Sequence, residues 1–98
     1  GVVVVSGDRH SAAIYELAEF EPYPLYELTT SSLNVPLTSF VKNPVDEHGP
    51  HRLMNPYYES NNGLMDIDWE AGELSMRLMN EGSQTITEQI IRIDSLQP

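Results

Sequence analysis

Ninety-eight residues suit one small domain or part of a larger one, and 40% apolar content with five Tyr, two Phe and one Trp suffices for a packed core, which excludes a disordered chain. The formal net charge of −10, from 15 acidic against five basic side chains, repels phosphate backbones and excludes a broad nucleic-acid surface. The chain has no cysteine, hence no disulfide and no thiolate metal site, and no apolar run approaches the ~20 residues that span a bilayer.

Val2-Val3-Val4-Val5 reads as a strand buried on both faces, because a half-exposed strand would alternate with polar residues. Gly7 ends it, and Asp8 and His10 follow two residues apart. A strand that stops in a carboxylate and an imidazole is a recurrent way to hold a metal ion, since the sheet fixes the backbone from which both project. The plainer alternative is a turn in which Asp8 accepts from backbone amides and His10 is solvated. A strand apolar on both faces normally sits centrally in a sheet, and no long, capped amphipathic helix here supplies the covering layers. The expectation is a piece of a larger protein whose N-terminal remainder completes the fold.

In Ser11 to Phe20 the recurrence of Ala13, Leu17 and Phe20, with Ser11 as an N-cap, favours a short helix, although Ile14 and Tyr15 would also suit a strand. Glu21-Pro22-Tyr23-Pro24 breaks any helix. Leu25 to Ser31 reads as a strand with Leu25, Glu27 and Thr29 on one face and Tyr26, Leu28 and Thr30 on the other. Residues 34–62, punctuated by Pro36, Pro44, Pro50 and Pro56, form a long loop of a kind that is often functional. It is placed to pass over the sheet end at Asp8 and His10. Its run Asp46-Glu47-His48-Gly49-Pro50-His51-Arg52 reads as a solvated loop rather than a second metal site. Arg52 is the candidate phosphate-facing residue, since a guanidinium matches phosphate oxygens in a bidentate way.

Met65, Ile67 and Trp69 alternate with Asp66, Asp68 and Glu70, and Leu74, Met76 and Leu78 alternate with Ser75 and Arg77. A hairpin loop at Glu70-Ala71-Gly72-Glu73 would set Trp69 opposite Leu74, Ile67 opposite Met76 and Met65 opposite Leu78, with Asp66 meeting Arg77 on the wet face. Asn80-Glu81-Gly82-Ser83 is a second turn and Thr85 to Ile93 a third strand, whose phase shift between Ile90 and Ile91 suggests a bulge. The result is an antiparallel meander with Trp69 in the core, Asp66 and Asp68 on the surface, and Asn61-Asn62-Gly63 as the turn leading in. The chain holds no Gly-x-Ser-x-Gly elbow and no phosphate-binding Gly-rich loop.

Three blocks resemble, in order and spacing, the C-terminal end of PhoD-like alkaline phosphatases, a group of metallophosphoesterases. They are Val2 to His10, Pro24 to Leu33, and Asn61 to Trp69. The metallophosphoesterase motif is Gly-His-x-His; Gly7-Asp8-Arg9-His10 has Asp8 in place of the first histidine, which is the form the PhoD-like group shows. The resemblance implies an α/β fold of two packed sheets flanked by helices, this segment being mostly β with a short helical piece and a C-terminal antiparallel meander. It implies that Asp8 and His10 are catalytic metal ligands. A hard carboxylate oxygen suits Ca²⁺, Mg²⁺ or Mn²⁺, and an imidazole suits Fe or Zn. The implied reaction is hydrolysis of phosphate esters by a metal-activated water, with Arg52 as a weak candidate for substrate binding. Other ligands would come from the N-terminal remainder of the same protein, so the segment alone would be inert. Many members are exported, which makes a periplasmic or secreted location an implication of the same resemblance. The alternative is a non-catalytic, β-rich accessory or interaction domain. Such a module would fold alone and would have no need of a first strand apolar on both faces.

Overall fold

The computed structural model describes residues 1–8, 11–31 and 51–98. Alternation prevails over helical spacing in all of them. The strands are β1 (Val3–Ser6), β2 (Ala13–Leu17), β3 (Leu25–Thr29), β4 (Asn61–Asp68), β5 (Glu73–Asn80) and β6 (Thr85–Arg92), and a 3-10 turn, Ile93–Leu96, follows. The described residues are thus mostly β and contain no α-helix.

The first sheet has the order β1-β3-β2, with β1 parallel and β2 antiparallel to β3. The segment expected to be a short helix is therefore the strand β2. Its few residues are too short to hold a helix by propensity. As a strand, Ala13 and Ile14 are buried on opposite faces, 2% and 1% exposed, which no single helical stripe would achieve. The outer edge of β2 is also occupied. Ala12 and Tyr57 exchange two backbone hydrogen bonds of 2.8 Å, Glu16 N donates to His51 O at 2.7 Å, and Leu53 N donates to Ile14 O at 2.8 Å. Residues 51–57 therefore run along β2 instead of over the end of β1.

The second sheet is the expected meander, in the order β4-β5-β6. Its register differs by two residues from the expectation: Ile67 opposes Leu74, Met65 opposes Met76, and Gly63 opposes Leu78. A shift of two keeps every side chain on its own face, so the apolar pattern cannot distinguish the two registers. The turn decides. Ala71 N donates to Asp68 Oδ1 at 3.0 Å and Gly72 takes φ +68°, which closes the loop over residues 69–72. Asn61-Asn62-Gly63 opens β4 rather than forming a turn. Arg77 faces Leu64 on one side and pairs with Glu88 of β6 on the other, not with Asp66. The register irregularity lies between Leu78 and Met79, whereas Ile90 and Ile91 simply alternate, one exposed and one buried.

The two sheets share one core. Ile14, Tyr26 and Leu28 from the first pack with Leu74, Met76, Ile91 and Leu96 from the second. Full burial of such a side chain contributes about 1.5–3 kcal/mol. Two expected core elements lie elsewhere. Trp69 stands at the β4–β5 turn, 76% exposed. The valine strand β1 is an edge strand among the described residues, with Val2 and Val5 more than half exposed.

Candidate metal site at the end of β1

β1 and β3 run parallel, so Ser6-Gly7-Asp8 and Thr29-Thr30-Ser31 come to the same end of the sheet. Carboxyl ends of parallel strands are where such sheets place their ligands. The two strand ends are tied together: Thr30 N donates to Ser6 O at 3.1 Å, and Ser6 Oγ donates to Glu27 Oε1 at 2.6 Å. Gly7 lies close against this junction, since a β-carbon there would stand 3.4 Å from the Thr30 carbonyl oxygen. Asp8 follows, exposed and with φ 64°. Left-handed backbone costs most L-residues roughly 1–2 kcal/mol, and Asp is one of the few that visit it routinely.

A second tie joins this strand end to the other sheet. Thr30 Oγ1 donates to Asn61 Oδ1 at 2.8 Å, and Asn61 Nδ2 donates to Glu59 O at 2.8 Å. Asn61 is 2% exposed, so these bonds satisfy an amide that would otherwise be costly to bury. The hydroxyl of Thr29, 1% exposed, has no hydrogen-bond partner among the described residues. Sequence reading placed Glu27, Thr29 and Thr30 on this strand without assigning these partners. The signal was available in Ser6 and Glu27, polar positions within otherwise apolar strands.

The structure places Asp8 at the expected strand end. His10 and His48 lie outside the described residues. Arg52 does not join Asp8. Val4, Glu27, Tyr15 and Arg52 form one row across the sheet, on four successive chain segments. At about 4.8 Å per strand, Arg52 is roughly 14 Å across the sheet from β1, and Asp8 lies a further four residues along. His51, read as part of a solvated loop, lines a shallow hollow of about 240 Å³ with Val4, Tyr15, Leu17, Leu25 and Glu27.

Asp8 offers a hard oxygen ligand, yet among the described residues no group of three or more His, Asp or Glu gathers to hold a metal ion. Asp66 is exposed on β4, and Asp68 is engaged in the turn. The described residues therefore assemble no metal centre of their own: Asp8 stands exposed beyond β1, and His10 lies outside them. No helix among the described residues is long and apolar enough to cross a membrane. No family model, curated protein or solved structure matches the chain.

Proposed function

We propose that this chain is the C-terminal part of a metal-dependent phosphatase or phosphodiesterase, with Asp8 and His10 as metal ligands. One observation carries the reading: Asp8 sits in left-handed backbone directly beyond a strand that ends in parallel with its neighbour. The resemblance of residues 2–10 to a phosphatase strand-end motif supplies the chemistry. An ion bound there would polarise a phosphoryl oxygen and acidify a water. The chain's own contribution is positional. Thr30 N and the Ser6 carbonyl oxygen hold the two strand ends together beneath Asp8, while Ser6 Oγ engages the Glu27 carboxylate. The remaining ligands are assigned to the N-terminal remainder of the same protein, and the substrate is a phosphate ester.

A second reading has its own support. The described strands close one two-sheet core without any α-helical layer, as a β-rich accessory or interaction domain would. Metal content and phosphatase activity of the parent polypeptide separate the two. In Asp8→Ala and His10→Ala variants that still fold, joint loss of metal and turnover is the expected result. Unchanged metal content and turnover in both would overturn the phosphatase reading and leave the accessory domain.

A further inference from the structure

The chain has a single Asn-Gly pair, Asn62-Gly63, and it occupies the second and third positions of β4. Asparagine loses its side-chain amide by an internal reaction. The backbone nitrogen of the next residue attacks the side-chain carbonyl carbon, the amide nitrogen leaves as ammonia with the displaced proton, and a succinimide ring forms. Water then opens the ring to aspartate, or to isoaspartate, in which the main chain runs through the former side chain. A following glycine makes this fastest, because no β-carbon shields the attacking nitrogen. The other asparagines are poorly placed for it. Asn43 and Asn55 precede prolines, which have no N–H to attack with, and Asn34 precedes the branched Val35. Asn61 engages Thr30 and Glu59 through its amide, and Asn80 engages Gln84. Asn62 is partly exposed on the other face of β4, and its amide has no such partner among the described residues.

We infer that Asn62 is a deamidation site gated by the fold, reacting when the first residues of β4 open, with the Thr30–Asn61 bond as the latch. While β4 is paired, the reacting atoms are held apart. Asn62 opposes Met79 and Gly63 opposes Leu78, and extended backbone turns the Gly63 nitrogen away from the Asn62 side chain. Strand ends open locally at less cost than the whole fold, so the ties at this end set how often the pair is released. Those ties sit on the preceding residue: Thr30 Oγ1 donates to Asn61 Oδ1, and Asn61 Nδ2 donates to Glu59 O, both at 2.8 Å. Asn61 is 2% exposed, so losing the Thr30 hydroxyl would leave a buried amide oxygen unpaired and favour opening. The modification also keeps the strand from closing again. Isoaspartate adds one carbon to the main chain between residues 62 and 63. Gly63 fits only because no β-carbon meets Thr30 Cγ2 and Leu28 Cδ2, at 2.9 and 3.0 Å, and a lengthened chain cannot seat it there with Asn61 still latched. This inference is independent of whether Asp8 binds a metal.

The test is mass spectrometry of the folded chain incubated at mildly alkaline pH, with isoaspartate located by fragmentation. A free peptide of residues 58–67 gives the ungated rate. Residue 62 of the parent chain should convert more slowly than the peptide by about tenfold or more. Thr30→Val removes the latching hydroxyl and keeps the shape, and it should speed conversion severalfold. Thr30→Ser keeps the hydroxyl and should stay near the parent rate. A parent chain as fast as the peptide would overturn the gate. Equal rates in Thr30→Val and the parent, or in Thr30→Val and Thr30→Ser, would overturn the latch. Earlier conversion at any other asparagine would overturn the site. If Thr30→Val does not fold, the parent chain in urea below its unfolding transition decides. A nearly flat rate is expected of local opening, and one that climbs as steeply as the unfolding equilibrium would place the gate in global unfolding and overturn the latch.

Discussion

Thr30 Cγ2 lies 2.9 Å from the point where a β-carbon on Gly63 would stand, and Leu28 Cδ2 lies 3.0 Å from it. The two sheets pack closely here, and the absence of a side chain at Gly63 is what leaves room for Thr30 and Leu28. Gly63→Ala should cost about 1–3 kcal/mol, the usual range for overpacking a tight interface. Thr30→Ser deletes the clashing methyl and keeps the hydroxyl that donates to Asn61. Urea denaturation should therefore show Gly63→Ala/Thr30→Ser recovering part of the loss. A cost no larger than that of a surface change, about 0.5 kcal/mol, would mean that the sheets are not this close.

Glu88 holds its proton less readily than an ordinary carboxyl, first because Arg77 hydrogen-bonds to it and then because Ser75 does. Ser75 Oγ donates to it at 2.9 Å. A carboxyl whose folded pKa is depressed stabilises the fold above its ordinary value of 4.5 and loses that contribution as pH falls through the folded value. Glu88→Gln should therefore be less stable than the parent chain at neutral pH, and the difference should vanish in acid, below about 4.5. The effect is small, since both side chains are about a third exposed. Denaturation midpoints across this range would show it, and a difference independent of pH would rule the pairing out.

Trp69 is 76% exposed beside the β4–β5 turn, so its emission should be that of a solvated indole and readily quenched by acrylamide. Trp69→Phe should change stability by no more than about 0.5 kcal/mol. A buried spectrum, or a loss of several kcal/mol, would return Trp69 to the core where the alternation of β4 had put it.

That misplacement shows where sequence reading stops. Period-two alternation identified β4 and β5 because each has an apolar face, and β6 was read as a strand with a break in phase that the structure does not show. It could not choose between registers two residues apart, since both keep Leu74, Met76 and Leu78 inward. Asp68 and Gly72 made that choice through the turn. β2 was missed because Ala13 and Leu17 fit a helix as well as a strand, and what decides is pairing with β3 and with residues 51–57, contacts distant in sequence. The apolar character of β1 was legible, but exposure depends on neighbours that the described residues do not provide. At the candidate site Asp8 was legible from the strand end. The Thr30–Asn61 bond was not, because it joins two sheets.

Burial holds the Tyr26 hydroxyl above its ordinary pKa of 10.0, and the hydrogen bond and charge of Glu16 push it further the same way. A group with a raised folded pKa stabilises the fold below its unfolded value and loses that contribution as pH rises through the folded one. Stability should therefore fall on the alkaline side, beyond pH 10.0, and Tyr26→Phe should flatten that limb while leaving the core filled. Denaturant midpoints taken from about pH 9 upward measure it. An unchanged alkaline slope in the variant would show that Tyr26 is not the group responsible.

Asp8 allows backbone and carboxylate to be tested separately. With φ 64° its conformation is one that glycine adopts freely and alanine does not. In the 98-residue chain Asp8→Gly should be no less stable than the parent, whereas Asp8→Ala should fall below it by about 1–2 kcal/mol. Equal stability of the two variants would contradict the left-handed conformation. In the parent polypeptide the order should collapse. Glycine restores the backbone but supplies no oxygen, so under the proposed function Asp8→Gly loses metal and phosphatase activity as completely as Asp8→Ala. If Asp8 is instead an ordinary turn residue, retained because it tolerates left-handed backbone, Asp8→Gly keeps whatever activity the parent has and only Asp8→Ala is impaired. The glycine variant thus separates a ligand from a turn former, a distinction that alanine alone would blur.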